Sequence, residues 1–241
     1  MIPAVLREVG AFFTASLVRP VPRDHRETPA QLRRRRVVSA VTLVAGAAAL
    51  GGALSIRPGD PAFYAATLGV AAVWTLGAFA SGRLYLGKAY TRAGDVGRPV
   101  LQAFVLGAAL LALFLAGALV VAHIPLLRQP VDHLLDHARH GSWWLVGVIT
   151  AINGVAEELF FRGSLYAAID ERWNGPASVA LYAASTLVSG VPLLTLAALC
   201  LGLLTTAERR VTGGVLGPIV THVTWSLGML YLLPLTLSLG G

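Results

Sequence analysis

Seven long apolar runs, at 37–56, 61–82, 99–122, 143–169, 175–190, 191–207 and 214–233, take up most of this chain. A run near twenty residues spans the ~30 Å hydrocarbon core of a bilayer as a helix, which satisfies every backbone N–H and C=O within its own segment. The chain is therefore expected to be all-α, a polytopic transmembrane helical bundle of about seven spans (six to eight), with no room for a second folded unit. Composition agrees: 56% of residues are apolar and only 13% are charged, against about 25% charged in soluble domains. The two shortest runs meet at Ser189-Gly190-Val191-Pro192, a turn signal that predicts a tight helical hairpin. One cysteine, Cys200, excludes an intramolecular disulfide and a multi-cysteine metal cluster within the chain.

Positive charge sets the sidedness, because Lys and Arg resist translocation and collect in cytoplasmic loops. Sixteen of the 19 basic residues fall in the N-terminal segment, in the loops after the second, fourth and sixth runs or, for Arg162, in the inner part of the fourth run. The opposite side holds Arg57, Arg128 and Arg139. This places the N-terminus in the cytoplasm of a multi-pass cell-membrane protein and, for seven spans, the C-terminus outside. Residues 1–36 read as a cytoplasmic basic segment and 37–241 as the transmembrane domain. Within the former, Ile2, Val5, Leu6, Val9, Phe12, Phe13 and Leu17 recur at helical spacing, the pattern of an interfacial helix. The net charge of +7 is accounted for by orientation and anionic lipid. No nucleic-acid partner is expected, since the basic residues flank spans instead of interleaving with aromatics.

An ionisable side chain at mid-bilayer costs about 2.5–3.5 kcal/mol on insertion scales, so it needs a partner or a function. Glu157, Glu158 and Arg162 interrupt one run and His222 lies deep in another. Glu157 precedes Arg172 by 15 residues on an inward span, and His222 follows Arg210 by 12 on an outward one. At 1.5 Å per residue both sit at about 20 Å from the cytoplasmic anchors, in one layer. Glu158 and Arg162 stand four apart and can pair on one helix face. Glu157 projects about 100° away without a local counter-charge. Asn153 lies one turn before Glu157; Ser226 lies one turn after His222, with Trp225 beside both. A carboxylate facing an imidazole and a hydroxyl suits the activation of water. The plainer readings are a structural ion network for Glu157, Glu158 and Arg162, a packed histidine at 222, and small polar residues cementing helices at 153 and 226.

Asp132-His133-Leu134-Leu135-Asp136-His137-Ala138-Arg139-His140 puts His133, His137 and His140 at helical spacing. A solvated interfacial helix on the outer side accounts for them better than a metal site. H-E-x-x-H is absent and one histidine lies within a span, so no metal and no cofactor is expected.

Glu157-Glu158-Leu159-Phe160-Phe161-Arg162-Gly163 resembles the E-E-x-x-x-R motif of the CAAX prenyl protease 2 and bacteriocin-processing (CPBP, or Abi) family of intramembrane proteases. The segment from Arg209 to His222 resembles the approach to that family's last motif, a His followed four residues later by Asn or Asp. The resemblance covers about 143–233, with two departures. The family's middle F-x-x-x-H motif belongs near 182–190, which contains no histidine, and Ser226 stands where Asn or Asp is usual.

The resemblance implies an intramembrane endopeptidase in which Glu157 acts as general base toward water and His222 and Ser226 stabilise the oxyanion. Glu158 and Arg162 support them, and Asn153, Glu158 or Ser189 is left to substitute in part for the missing histidine, in a polar cavity open to the cytoplasm. The substrate is then a peptide or membrane protein within the bilayer. Neither a G-x-S-G serine motif nor a G-x-G-D aspartyl motif is present. Two other classes stay open: a catalytically inactive relative with a chaperone, immunity or regulatory role, and a proton-coupled transporter.

Overall fold

A computed structural model describes residues 2–57, 60–91, 94–139 and 142–239. They form a multi-pass membrane bundle that is helical almost throughout. α1 (Ile2–Phe13) runs through a π turn into an extended stretch, followed by α2 (Pro29–Leu54), α3 (Ala62–Ser81), α4 (Val100–Val121), α5 (Pro125–Arg139) and α6 (Trp143–Glu158). After α6 come a π turn, the short α7 (Tyr166–Ala168), α8 (Asn174–Thr186), α9 (Pro192–Thr212) and α10 (Leu216–Leu239). A two-residue ladder, β1 (Ala89–Tyr90) with β2 (Val96–Gly97), braces the α3–α4 loop.

α2 begins eight residues before its apolar run. Thr28 caps it in a reciprocal capping box with Gln31, and Pro29 occupies the first turn, where a missing N–H costs nothing. Arg33 to Arg36 therefore ride on the first two turns of a spanning helix.

Six helical segments among the described residues are long and apolar enough to cross a membrane. The run expected at 175–190 divides into the 13-residue α8 and a 3-10 turn at Leu187–Ser189. α8 is only about 20 Å long, yet it reaches the opposite end of the bundle, where Val188 lies beside Gly51 near the end of α2. The hairpin read at Ser189-Gly190-Val191-Pro192 forms: Gly190 is left-handed at φ 66°, and Pro192 opens α9.

Four basic segments gather at one end of the bundle. Arg23 donates to the Arg210 carbonyl and Arg36 to that of Ala168. The Lys88 N–H donates to Thr212, and the Val215 and Leu216 N–H groups donate to Tyr85 and Leu86. These are the same loops that the charge pattern groups together. At the other end α5 lies across the bundle, burying Val131 and Leu135 against Ala118, Ala122 and Leu237. His133 lies on this helix, while the side chain of His137 and all of His140 lie outside the described residues.

The main core joins α2, α3, α6, α8 and α9 around Trp74, Phe160, Phe161 and Tyr182. Trp74 stacks on Phe160 at 4.7 Å between centroids, and Phe161 packs on Tyr182 at 4.8 Å. The aromatic residues that follow the glutamate pair thus fix the α6 face against α3 and α8.

Candidate active site

At Glu158 the α-helix gives way to a π-helical turn, Leu159–Leu165. Such turns insert an extra residue, re-aim the side chains around it and recur at functional sites. The Arg162 carbonyl inside the turn accepts a 2.6 Å hydrogen bond from Arg209 Nε of α9. The Arg209 guanidinium also lies over the Tyr166 ring, 4.9 Å from its centre.

Glu158, Arg162 and His222 form one buried cluster, with both members of the Glu158–Arg162 pair fully shielded. Glu158 Oε1 accepts from Arg162 Nη1 at 3.2 Å and lies 2.8 Å from His222 Nδ1. That contact engages Nδ1 and turns Nε2 of the ring away from Glu158. Close approach of α6 and α10 depends on Gly154, where a Cβ would stand 3.3 Å from His222 Cδ2.

Glu157 takes the other side. Its side chain is 22% exposed, and its Oε2 lies 4.0 Å from His222 Nε2. The sequence gives Glu157 no local partner, but α8 supplies one: the Tyr182 hydroxyl donates to Oε2 at 2.8 Å. The Arg162 guanidinium faces the same tyrosine ring at 4.5 Å.

The remaining residues read from the sequence divide. Asn153 donates to the Ile149 carbonyl one turn back. Ser226 lies on α10 one turn beyond His222, with a 3.4 Å contact to the Val223 carbonyl. Trp225 packs edge-on to His222 and Phe114. Ser189 is not brought to the cluster: its hydroxyl donates to Thr186 and accepts from the Val191 N–H, closing the hairpin at the far end of α8. Within the stretch at 182–190, Thr186 bonds Ala183 and Thr195, so the one side chain there that bonds Glu157 is a phenol.

Glu208 escapes the sequence reading because the apolar run of α9 stops at 207. The helix continues to Thr212, and Gly213 ends it at φ 71°, leaving Glu208 and Arg209 only 2% and 6% exposed. Gly213-Gly214 after a helical pattern is the signal that could have placed them inside. Among the described residues no group of three His, Cys, Asp or Glu side chains converges to hold a metal ion.

Two hollows flank the cluster. A cavity of about 1470 Å³ opens at the basic end, lined by Arg23, Arg35, Arg36, Arg83, Arg172 and Arg210 together with Gly163, Val179 and Val215. Neither Glu157 nor His222 forms part of its wall. A shallower apolar groove of about 370 Å³ runs along the seam of α6 and α10, past Val155, Val220 and Val223.

Residues 139–228 match the family described as type II CAAX prenyl endopeptidase Rce1-like. The resemblance read from Glu157–Arg162 and His222 is borne out over that segment. No curated protein and no solved structure matches the chain.

Proposed function

We propose that the protein is an intramembrane endopeptidase, with a peptide or membrane-protein substrate held in the bilayer. The observation that carries this reading is the double engagement of His222. Nδ1 is held on Glu158, while Nε2 faces Glu157 at 4.0 Å. Two acceptor or donor atoms at that separation can both touch one water at ~2.8 Å each. Glu157 removes a proton from that water as its oxygen bonds to the scissile carbonyl carbon. His222, its Nδ1 held on Glu158, donates from Nε2 to the oxyanion, and the Ser226 hydroxyl is a second donor. The proton on Glu157 then passes to the leaving amine as the C–N bond breaks.

Glu158 and Arg162 position the imidazole and neutralise each other. The basic end lies in the cytoplasm, with α1 resting in the headgroup layer, and the arginine-lined cavity opens the bundle to water on that side. The family match and the two motifs support this reading.

Purified protein in liposomes, offered a panel of membrane-anchored peptides, is expected to release soluble fragments. His222→Ala should slow release about 100- to 1000-fold. Wild-type protein that cleaves no member of the panel, or a His222→Ala variant as fast as wild type, overturns the assignment. One observation favours a second reading, binding without cleavage: neither Glu157 nor His222 lines the large cavity.

A further inference from the structure

We infer that Tyr182 is the positioning residue for Glu157, a phenol on α8 in place of an imidazole. The inference rests on the endopeptidase reading and deepens it. Tyr182 is 5% exposed and its ring is clamped on two sides, by Phe161 and by the Arg162 guanidinium. With the ring fixed, the hydroxyl has one direction, and it ends 2.8 Å from Glu157 Oε2.

A carboxylate side chain that is partly exposed samples several rotamers, and a reacting group misplaced by about 1 Å loses roughly 100-fold in rate. The phenol removes that freedom. It occupies one lone pair of Oε2 and leaves the other for the water held between that oxygen and His222 Nε2. It also ties the two halves of the site together. Arg162 holds Glu158, Glu158 holds His222, and the same Arg162 faces the ring whose hydroxyl holds Glu157. The general base and the oxyanion donor are therefore indexed to one guanidinium. A histidine on α8 is then dispensable for placing the carboxylate, because the duty that remains is donation to Oε2, which a phenol performs.

A buried tyrosine hydroxyl seeks any partner, so a purely structural contact is the reading to defeat. Tyr182→Phe deletes the hydroxyl and keeps the ring against Arg162 and Phe161, so the variant should fold. Hydrogen bonds to charged groups predict a fall in kcat of roughly 10- to 100-fold, with KM and melting temperature close to wild type. Tyr182→Leu, which also loses the ring, should lower the melting temperature, separating packing from positioning.

An infrared measurement reads the contact without turnover. The carboxyl band of Glu157, identified by its loss in Glu157→Gln, should move in Tyr182→Phe. A Tyr182→Phe variant with wild-type kcat overturns the positioning role, and an unmoved band overturns the contact itself. A wild-type protein that cleaves nothing while the band moves overturns the peptidase reading and supports the contact.

Discussion

Charge accumulates in two regions of this molecule, and it is handled differently in each. Mid-bundle, the Glu158–Arg162 pair has no exposure, and Glu158 is held also by His222 at 2.8 Å. At the basic end, Arg36 reaches Asp170 at 3.4 Å with 48% and 80% of the two side chains exposed. Arg23 and Arg34 there donate to backbone carbonyls. Water and lipid headgroups solvate the second set whether or not the pairs form. Nothing but protein solvates the first. The interior pair is thus obligatory once either member is present, whereas each surface pair is optional. Sidedness needs only the sum of charges, whereas chemistry needs their geometry.

The sharpest way to break this contrast is to remove one interior charge. Arg162→Ala leaves Glu158 buried and uncompensated, which typically costs 3–5 kcal/mol, or roughly 10 °C in melting temperature for a chain of this size. A variant that melts and expresses like wild type would show that the pair is not obligatory. At the basic end, Arg36→Ala should cost about 0.2–1 kcal/mol, a shift close to the resolution of the same melting experiment. A loss matching that of Arg162→Ala would erase the distinction.

The smallest effect concerns His25, which stacks on Tyr85 at 3.6 Å. Burial, then the charges of Arg209 and Arg23, hold its pKa below the ordinary 6.5. The folded chain therefore takes up this proton less readily than the unfolded chain. Its contribution is complete above 6.5 and is lost as pH falls from there toward the folded value. Melting temperature should decline modestly between about pH 8 and about pH 5.5, and His25→Gln should flatten that slope. An equal slope in the variant would assign it to other groups.

The sequence was most legible where physics is local. Apolar run length gives the spans, Arg and Lys placement gives the ends that gather together, and the spacing of four between Glu158 and Arg162 gives their pair. The meeting of Glu157 with His222 followed from matched depth along two helices. What the sequence withheld depends on rotation and on long-range packing. The π turn at Leu159–Leu165 carries no compositional mark, and within it the Arg162 carbonyl accepts from Arg209 of α9. Tyr182 reads as a core aromatic until α8 is docked, when its hydroxyl falls on Glu157. Ser189 sits in the right stretch of sequence for a helper, but the helix ends there and turns it away. Glu208 was hidden by one residue, because the apolar run ended before the helix did.

The central claim is that Glu157 delivers water to a peptide bond inside the membrane. It is tested most directly by cleavage in oxygen-labelled water with the protein reconstituted in liposomes. Wild type should place one labelled oxygen in each new carboxyl terminus, and Glu157→Gln, folded and inserted as wild type is, should form no product. Product formation by Glu157→Gln at the wild-type rate would contradict the account.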